Sequence, residues 1–285
     1  MPGFGDDGPV EAYELIDAGG GARLERFGEH TTDRPHGGAY GERRAPERWE
    51  EADLRFDRDG GWSGPGLAGA SEGWTATIGG LDLGLRPTDA GQVGCFPEHA
   101  ALLPWLRSRV QAREGADPQV LNSFASTGLV TLALAGAGAA VVHVDASRPA
   151  VAWARENARQ NGLAEAPVRW IVDDVAAFVA REARRGRRYD GLVLDPPSYG
   201  HGPGRTWRLD RDLSPLLEAA RSILADGGFV LLTAHTTGLG SPELAGALAD
   251  AFEIRGADVD QGDLVLHAES GATLALGAFA RVDGA

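Results

Sequence analysis

The stretch from Val120 to Asp145 restricts the fold of this chain more than any other. Val120-Leu121 enter an apolar strand. Asn122-Ser123-Phe124-Ala125-Ser126-Thr127-Gly128 make a turn that ends in a glycine where a helix must begin. Leu129 to Ala135 are small and apolar, which suits a helix lying flat on a sheet. Gly136-Ala137-Gly138 stop that helix, and Ala140-Val141-Val142-His143-Val144 form a second strand with Asp145 at its carboxyl end. An acidic residue at the second strand tip of such a βαβ unit is placed to accept from the two vicinal hydroxyls of an adenosine-type ribose. The turn has one glycine at the helix start and no G-x-G-x-x-G, so it lacks the close backbone N–H groups that a pyrophosphate needs. S-adenosylmethionine carries no phosphate and tolerates such a turn. From this stretch alone, an ordinary buried βαβ unit is the competing interpretation.

The pattern continues downstream. Ser147 is an N-cap and Pro149 sits in the first turn of a helix whose Ala150, Val151, Ala154 and Ala158 share a face, with Asn161-Gly162 ending it. Val168–Val172 is a third strand tipped by Asp173-Asp174, and a helix follows over Val175–Arg184. Leu192-Val193-Leu194 is a fourth strand, tipped by Asp195-Pro196-Pro197-Ser198-Tyr199-Gly200. Leu213–Leu224 reads as a helix stopped by Asp226-Gly227-Gly228. Phe229–Thr233 is a fifth strand leading to His235-Thr236-Thr237, Pro242–Phe252 is helical, and Leu264–Ala268 with Thr273–Ala280 form a closing antiparallel hairpin. Strands alternating with helices make a parallel sheet covered on both faces. The fold class is α/β: a Rossmann-like, mostly parallel seven-stranded sheet with a terminal antiparallel hairpin. Polar residues gather at the carboxyl strand ends, the edge where open α/β sheets bind ligands.

Ahead of this core, residues 1–90 read as a small β-rich module, and 91–285 as the Rossmann-like domain. Residues 1 to about 10 are expected to fray. Glu11–Asp17 and Ala22–Phe27 flank Gly19-Gly20-Gly21 as a hairpin, and Trp74–Ile78 with Leu81–Leu85 make another about Gly79-Gly80. Its tryptophans are expected to be core anchors. Pro97-Glu98 open a helix running to about Arg113. The net charge of −14 disfavours nonspecific adhesion to nucleic acid or anionic membrane. The basic residues are all Arg, and the run Arg184-Arg185-Gly186-Arg187-Arg188 is expected to be a solvated loop. Cys95 is the single cysteine, so there is no intramolecular disulfide and no cysteine cluster for zinc; no metal is expected. The start is acidic and glycine-rich, unlike a signal peptide. With no apolar run of membrane-span length, a cytoplasmic location and no membrane partner are the expectation. Oligomeric state is not legible.

The order Cys-Phe-Pro-Glu-His, Asn-Ser-Phe-Ala-Ser-Thr-Gly, Val-Asp-Ala-Ser, Trp-Ala-Arg-Glu-Asn…Asn-Gly-Leu, Asp-Val and Asp-Pro-Pro-Ser-Tyr, over roughly residues 90 to 240, resembles the class I S-adenosylmethionine-dependent methyltransferases. Within them it is most similar to the large-subunit ribosomal RNA cytosine-5 group. The resemblance implies that Asn122 to Gly128, with Phe124, Ser126 and Thr127 among them, wrap the methionine part of the cofactor. It implies that Asp145 takes the ribose hydroxyls and that Asp174 accepts from the adenine amino group. Ser147 and Asp173 join the same cofactor-binding set. Either carboxylate of the Asp173-Asp174 pair can instead cap the following helix. The resemblance further implies that Asp195, Pro196, Pro197 and Ser198 line the place where the acceptor meets the sulfonium, Asp195 bordering cofactor and acceptor alike. RNA is the acceptor that the resemblance implies.

Two departures bear on the chemistry. Cytosine-5 methylation needs a thiolate to add to C6. In the ribosomal enzymes that cysteine follows the fifth strand, where this chain has Thr233-Ala234-His235-Thr236. Asp-Pro-Pro-Ser is also similar to the Asn/Asp-Pro-Pro-aromatic motif of methyltransferases acting on amino groups, with Ser198 in the aromatic position and Tyr199 one later. A small-molecule or protein amino group is therefore an alternative acceptor. His235, able to take a proton near neutral pH, joins Asp195 on the acceptor side. The fourth and fifth strands are expected next to the first, on the side away from Asp145. A nicotinamide-dependent oxidoreductase and a non-catalytic binding protein on the same fold are the alternative functions.

Overall fold

The computed structural model describes residues 13–113, 117–202, 205–236 and 238–284. The stretch 1–10, Thr237 and the first two residues of the hairpin expected from Glu11 lie outside the described residues. The chain forms two compact units. One comprises residues 1–100 with 265–275, and the other 101–264 with 276–285. This boundary lies ten residues later than the one expected from the sequence, and part of the terminal hairpin, residues 265–275, goes with the smaller unit.

The first unit contains β1 (Tyr13–Gly19), β2 (Ala22–Phe27), β3 (His30–Pro35), the single-turn α1 (Pro46–Glu50), β4 (Leu54–Asp57), β5 (Gly61–Ser63), the short α2 (Leu67–Ala70), β6 (Trp74–Ile78) and β7 (Leu81–Leu85). Strands β1 to β5 lie in chain order in one sheet, with β6 and β7 as a separate pair. The two hairpins form where the glycine pairs require them, with Gly20 and Gly21 at φ 62° and 77° in the first turn. The tryptophans divide. Trp49 and Trp74 are buried, as core anchors should be, whereas Trp62 is only half-buried. Pro97–Leu102 is a 3-10 turn, not the start of a regular helix.

The second unit runs α3 (Leu103–Gln111), β8 (Gln119–Ser123), α4 (Leu129–Gly136), β9 (Ala140–Asp145), α5 (Arg148–Gln160), β10 (Val168–Val172), α6 (Val175–Arg184), β11 (Tyr189–Leu194), β12 (Tyr199–Gly202), β13 (Arg205–Arg208), α7 (Leu209–Arg221), β14 (Leu224–Ala234) and α8 (Ser241–Phe252), and it holds residues 260–264 of β15 (Asp260–His267) and residues 276–283 of β16 (Thr273–Asp283). The seven-stranded sheet has the order β10-β9-β8-β11-β14-β16-β15. Pairing is parallel from β10 to β14 and antiparallel between β14 and β16. Helices α6, α7 and α8 bury Phe178, Leu217 and Leu248 against one face, on Leu121, Leu192 and Leu232. Among the described residues no helix is long and apolar enough to cross a membrane.

Three differences from the sequence expectation have local causes. Helix α7 starts at Leu209, four residues early, because Asp212 accepts the Arg208 N–H at 2.8 Å and closes its first turn. Asp226-Gly227-Gly228 do not follow a helix end directly; they form an irregular stretch inside β14, where the register against β11 shifts. The residues after Pro197 form the small hairpin β12–β13, pairing Tyr199 with Arg208. The arginine run after α6 is solvated, as expected: Arg185 pairs with Glu182 and Arg188 donates to the Ser222 carbonyl.

Candidate active site

The expected strand order holds: β11 and β14 lie beside β8 on the side away from β9. This separates the candidate residues into two clusters along one sheet edge.

The first cluster surrounds the turn after β8. Phe124 and Ser126 take left-handed φ values of 55° and 48°, and Gly128 has φ 96°. A Cβ on Gly128 would stand 2.9 Å from the Ala154 Cβ, so only glycine lets α4 begin this close to α5. Asn157, fully buried on α5, donates to the Thr127 carbonyl at 2.9 Å and fixes the turn from below. Asp145 receives the Ser126 N–H on Oδ2 and the Ser147 N–H on Oδ1, each at 2.8 Å. Each carboxylate oxygen has a second lone pair, so a pair of acceptors remains for two adjacent hydroxyls. Burial raises the Asp145 carboxyl above its ordinary range, the two backbone bonds pull it down, and the charge of Asp195 adds to the rise.

Other candidates are engaged differently. Asn122 lies within β8, and its carboxamide donates to Thr131 Oγ1 at 2.8 Å. Thr131 Oγ1 in turn meets His143 Nδ1 at 2.8 Å. Burial pushes His143 down to about 3, so this ring is neutral and the chain of bonds sits in the core. Ser147 caps α5 through Ala150 N. Asp174 caps α6 by accepting from Ala177 N at 2.8 Å, while Asp173 pairs with Arg181. The two acidic neighbours therefore have separate structural tasks.

The second cluster lies on β11 and β14. Asp195 Oδ1 accepts from Thr233 Oγ1 at 2.5 Å and stands 3.3 Å from His235 Nε2. His235 Nδ1 is 2.9 Å from the Leu276 carbonyl. A carbonyl can only accept, so Nδ1 carries a proton and Nε2, beside Asp195, is the nitrogen that gains or loses one. Pro196 is buried, Pro197 and Ser198 are exposed, and the loop is pinned at three points. Trp207 Nε1 donates to the Pro197 carbonyl at 2.7 Å, the Leu209 N–H to the Ser198 carbonyl at 3.1 Å, and Ser198 Oγ meets Thr236 Oγ1 at 2.6 Å. Phe124 packs on Trp207 with ring centroids 5.2 Å apart, linking the two clusters. Sequence reasoning missed Thr233, Trp207 and Leu276, since none belongs to a motif and each is brought in only by strand pairing or by the small hairpin.

Residues 68–250 match the family model of S-adenosylmethionine-dependent methyltransferases. The chain belongs to that family. This methyltransferase is 34% identical to a solved SAM-dependent methyltransferase from Agrobacterium tumefaciens, covering 100% of this chain and 94% of that one with a TM-score of 0.90. It is 32% identical over 157 residues to ribosomal RNA large subunit methyltransferase K/L of Pseudoalteromonas atlantica, covering 54% of this chain and 21% of the relative. It is 34% identical over 146 residues to ribosomal RNA large subunit methyltransferase I of Klebsiella pneumoniae, covering 50% of this chain and 36% of the relative. The chain thus spans about a fifth to a third of the length of these two relatives. Its cofactor is S-adenosylmethionine, and the oxidoreductase and non-catalytic alternatives fall away. The Asp145 geometry fits the adenosine part, since both oxygens are oriented by backbone donors and keep acceptor capacity.

Proposed function

We propose that this methyltransferase modifies an RNA base and that the acceptor is presented at the Asp195–Ser198 loop. The observation that carries the placement is the contact of Asp195 with Thr233 and His235, across β8 from Asp145. Bound S-adenosylmethionine supplies a methyl group on a cationic sulfonium. Asp145 orients the cofactor through its ribose, and Asp174 faces the adenine with the carboxylate oxygen that the helix cap does not use. Asp195, held by Thr233, accepts a hydrogen bond from the acceptor and fixes its approach. His235 Nε2 takes up the released proton. RNA is favoured because two relatives are ribosomal RNA methyltransferases, and such an acceptor puts the reaction in the cytoplasm. Labelled S-adenosylmethionine incubated with deproteinised large-subunit RNA, a protein extract and a metabolite extract tests the reading. Label should enter the RNA fraction, and label confined to either of the others would refute it.

The position of Asp145 leads to a prediction. Asp145→Ala should weaken S-adenosylmethionine binding by roughly 10- to 150-fold, the loss of hydrogen bonds to a charged group worth about 1.5–3 kcal/mol, with the fold retained. Binding to the unmodified protein should also weaken in acid. The carboxylate is the form that accepts from two hydroxyls, and its raised pKa means that protonation begins above the ordinary aspartate range. Calorimetry across pH checks both, and acid-insensitive binding would take Asp145 out of the site.

Cys95 argues against a cytosine-5 adduct. The thiol is buried, and burial, with Glu98 and Glu25 nearby, pushes it well above the ordinary range, so the thiolate is disfavoured. Cys95→Ser should keep most methyl transfer, and RNA carrying 5-fluorocytosine should form no covalent complex. A trapped adduct through Cys95 would reverse this assignment.

A further inference from the structure

The turn after β8 and the Asp195–Ser198 loop leave the sheet side by side. Ser123 at the end of β8 pairs with Leu194 at the end of β11. Ser123 Oγ donates to the Val193 carbonyl at 3.0 Å, and the Asp195 N–H donates to the Ser123 carbonyl at 3.4 Å. Beyond these roots the two segments part, the turn leading to α4 and the loop to the β12–β13 hairpin. Trp207, on β13, reaches both of them again.

Trp207 is 5% exposed and belongs to the core under α7 and α8. Its Nε1 donates to the Pro197 carbonyl at 2.7 Å, and its ring meets that of Phe124 with centroids 5.2 Å apart and planes tilted by 56°. Phe124 opens the turn at φ 55°, a left-handed value that an aromatic residue rarely takes and that persists where surrounding contacts hold it. The two contacts differ in kind. The hydrogen bond is directional and fixes loop backbone, whereas the ring contact makes the indole follow any movement of Phe124. Packing alone asks for any large apolar side chain; an indole supplies a ring and an N–H donor at once.

We propose that Trp207 is a positioning residue that couples the cofactor turn to the acceptor loop. S-adenosylmethionine seated on the turn fixes Phe124, Phe124 fixes the indole, and the indole N–H fixes Pro197 with Asp195 and Ser198 on either side of it. The loop is then held in its working position when the cofactor is bound, and by linkage an engaged acceptor tightens the cofactor in return. The coupling rests on the reading above for calling residues 195–198 the acceptor loop, and it does not depend on the acceptor being RNA.

Amide hydrogen exchange of the full chain, resolved by NMR with and without saturating S-adenosylmethionine, tests the coupling with no acceptor present. The Leu209 N–H, which donates to the Ser198 carbonyl, reports the loop, and the Ser126 N–H, which donates to Asp145, reports the turn. In the unmodified protein cofactor should slow both, Leu209 by about 5- to 150-fold, the usual span of coupling between two sites. Phe124→Ala cuts the ring contact and keeps the Pro197 bond. Its Leu209 amide should exchange as in the unmodified protein without cofactor and should no longer respond to it. Trp207→Phe keeps a ring and loses the donor. Its Leu209 amide should likewise stop responding while Ser126 still slows. With cofactor saturating, either variant should lower single-turnover methyl transfer by about 10- to 100-fold, the scale of a misplacement of about 1 Å at a reacting centre. The double variant should fall no further than the worse single one, because both changes cut one link. A Leu209 amide that ignores cofactor in the unmodified protein, one that responds undiminished in either variant, or losses that multiply in the double variant overturns the coupling. Fast Leu209 exchange in Phe124→Ala without cofactor would mean packing alone and overturns it too. The variants cut different contacts, so if one does not fold the other decides. Transfer is read in whichever fraction takes label. Intact coupling with no label in RNA defeats the RNA acceptor alone, and label in RNA with an unresponsive Leu209 defeats the coupling alone.

Discussion

Asp195→Ala should lower methyl transfer by about 10²- to 10⁴-fold, the range that positioned acid–base groups supply, while S-adenosylmethionine binds within a few-fold of the unmodified protein. Asp195 sits on the far side of β8 from Asp145, and the proposed assignment puts its carboxylate toward the end of the cofactor that reacts. Its orientation is set by neighbours on β14: the Thr233 hydroxyl at 2.5 Å and the His235 ring at 3.3 Å. On the proposed assignment, removing the carboxylate takes away the acceptor's anchor and the neighbour of His235 Nε2 at once. His235→Ala should cost less and should change the pH dependence of turnover, because Nε2 is the site that exchanges a proton while Nδ1 stays committed to the Leu276 carbonyl. Single-turnover transfer from labelled cofactor, set beside calorimetry, separates these effects. If Asp195→Ala loses cofactor affinity in proportion to rate, Asp195 belongs to the cofactor side and the acceptor must be sought elsewhere.

The parallel core was legible because its signals are local. β10 and α6 begin and end where period and capping put them, and Ser147 and Asp174 cap the helices that follow them. The β12–β13 hairpin was not legible. Tyr-Gly-His-Gly and Arg-Thr-Trp-Arg contain few apolar residues, and their pairing is visible only once Trp207 reaches the Pro197 carbonyl. Strands β4 and β5 are equally short and are paired through contacts that no period announces. The site divides in the same way. Asp145 and Asp195 could be named because strand tips are predictable positions in an alternating fold. The pairing of Asp173 with Arg181, the withdrawal of Asn122 into a bond with Thr131, and the grip of Thr233 on Asp195 depend on side-chain direction, which sequence spacing does not specify.

Arg34→Ala should destabilise the protein at neutral pH by about 3–5 kcal/mol, the usual effect of stripping one partner from a buried ion pair. Arg34 on β3 and Glu25 on β2 are both fully buried. Arg34 Nε donates to Glu25 Oε2 at 3.1 Å and Nη1 to the Gly91 carbonyl and Gln92 Oε1 at 3.2 and 3.1 Å. Arg23 Nε stands 3.2 Å from the same Glu25 oxygen but out of line for a hydrogen bond, so it helps by charge and cannot replace Arg34. Burial pushes Glu25 up, yet the charges of Arg23 and Arg34 and the bonds from Arg34 and Tyr13 bring it below its ordinary value. A depressed carboxyl contributes stability above its unfolded pKa, about 4.3, and loses it as pH falls through the folded value. Without Arg34 the sign reverses. Glu25 is then a poorly paired buried carboxylate, its pKa rises, and acid relieves the penalty by protonating it. The deficit of Arg34→Ala relative to the unmodified protein should therefore shrink as pH falls. The double variant Glu25→Leu with Arg34→Met should recover much of the loss, because it leaves no buried charge from this pair. Denaturant unfolding followed by tryptophan fluorescence at several pH values tests the argument. A deficit below about 1 kcal/mol, the scale of an exposed pair, or one that does not change with pH, would mean that Glu25 and Arg34 reach water and are not a buried pair.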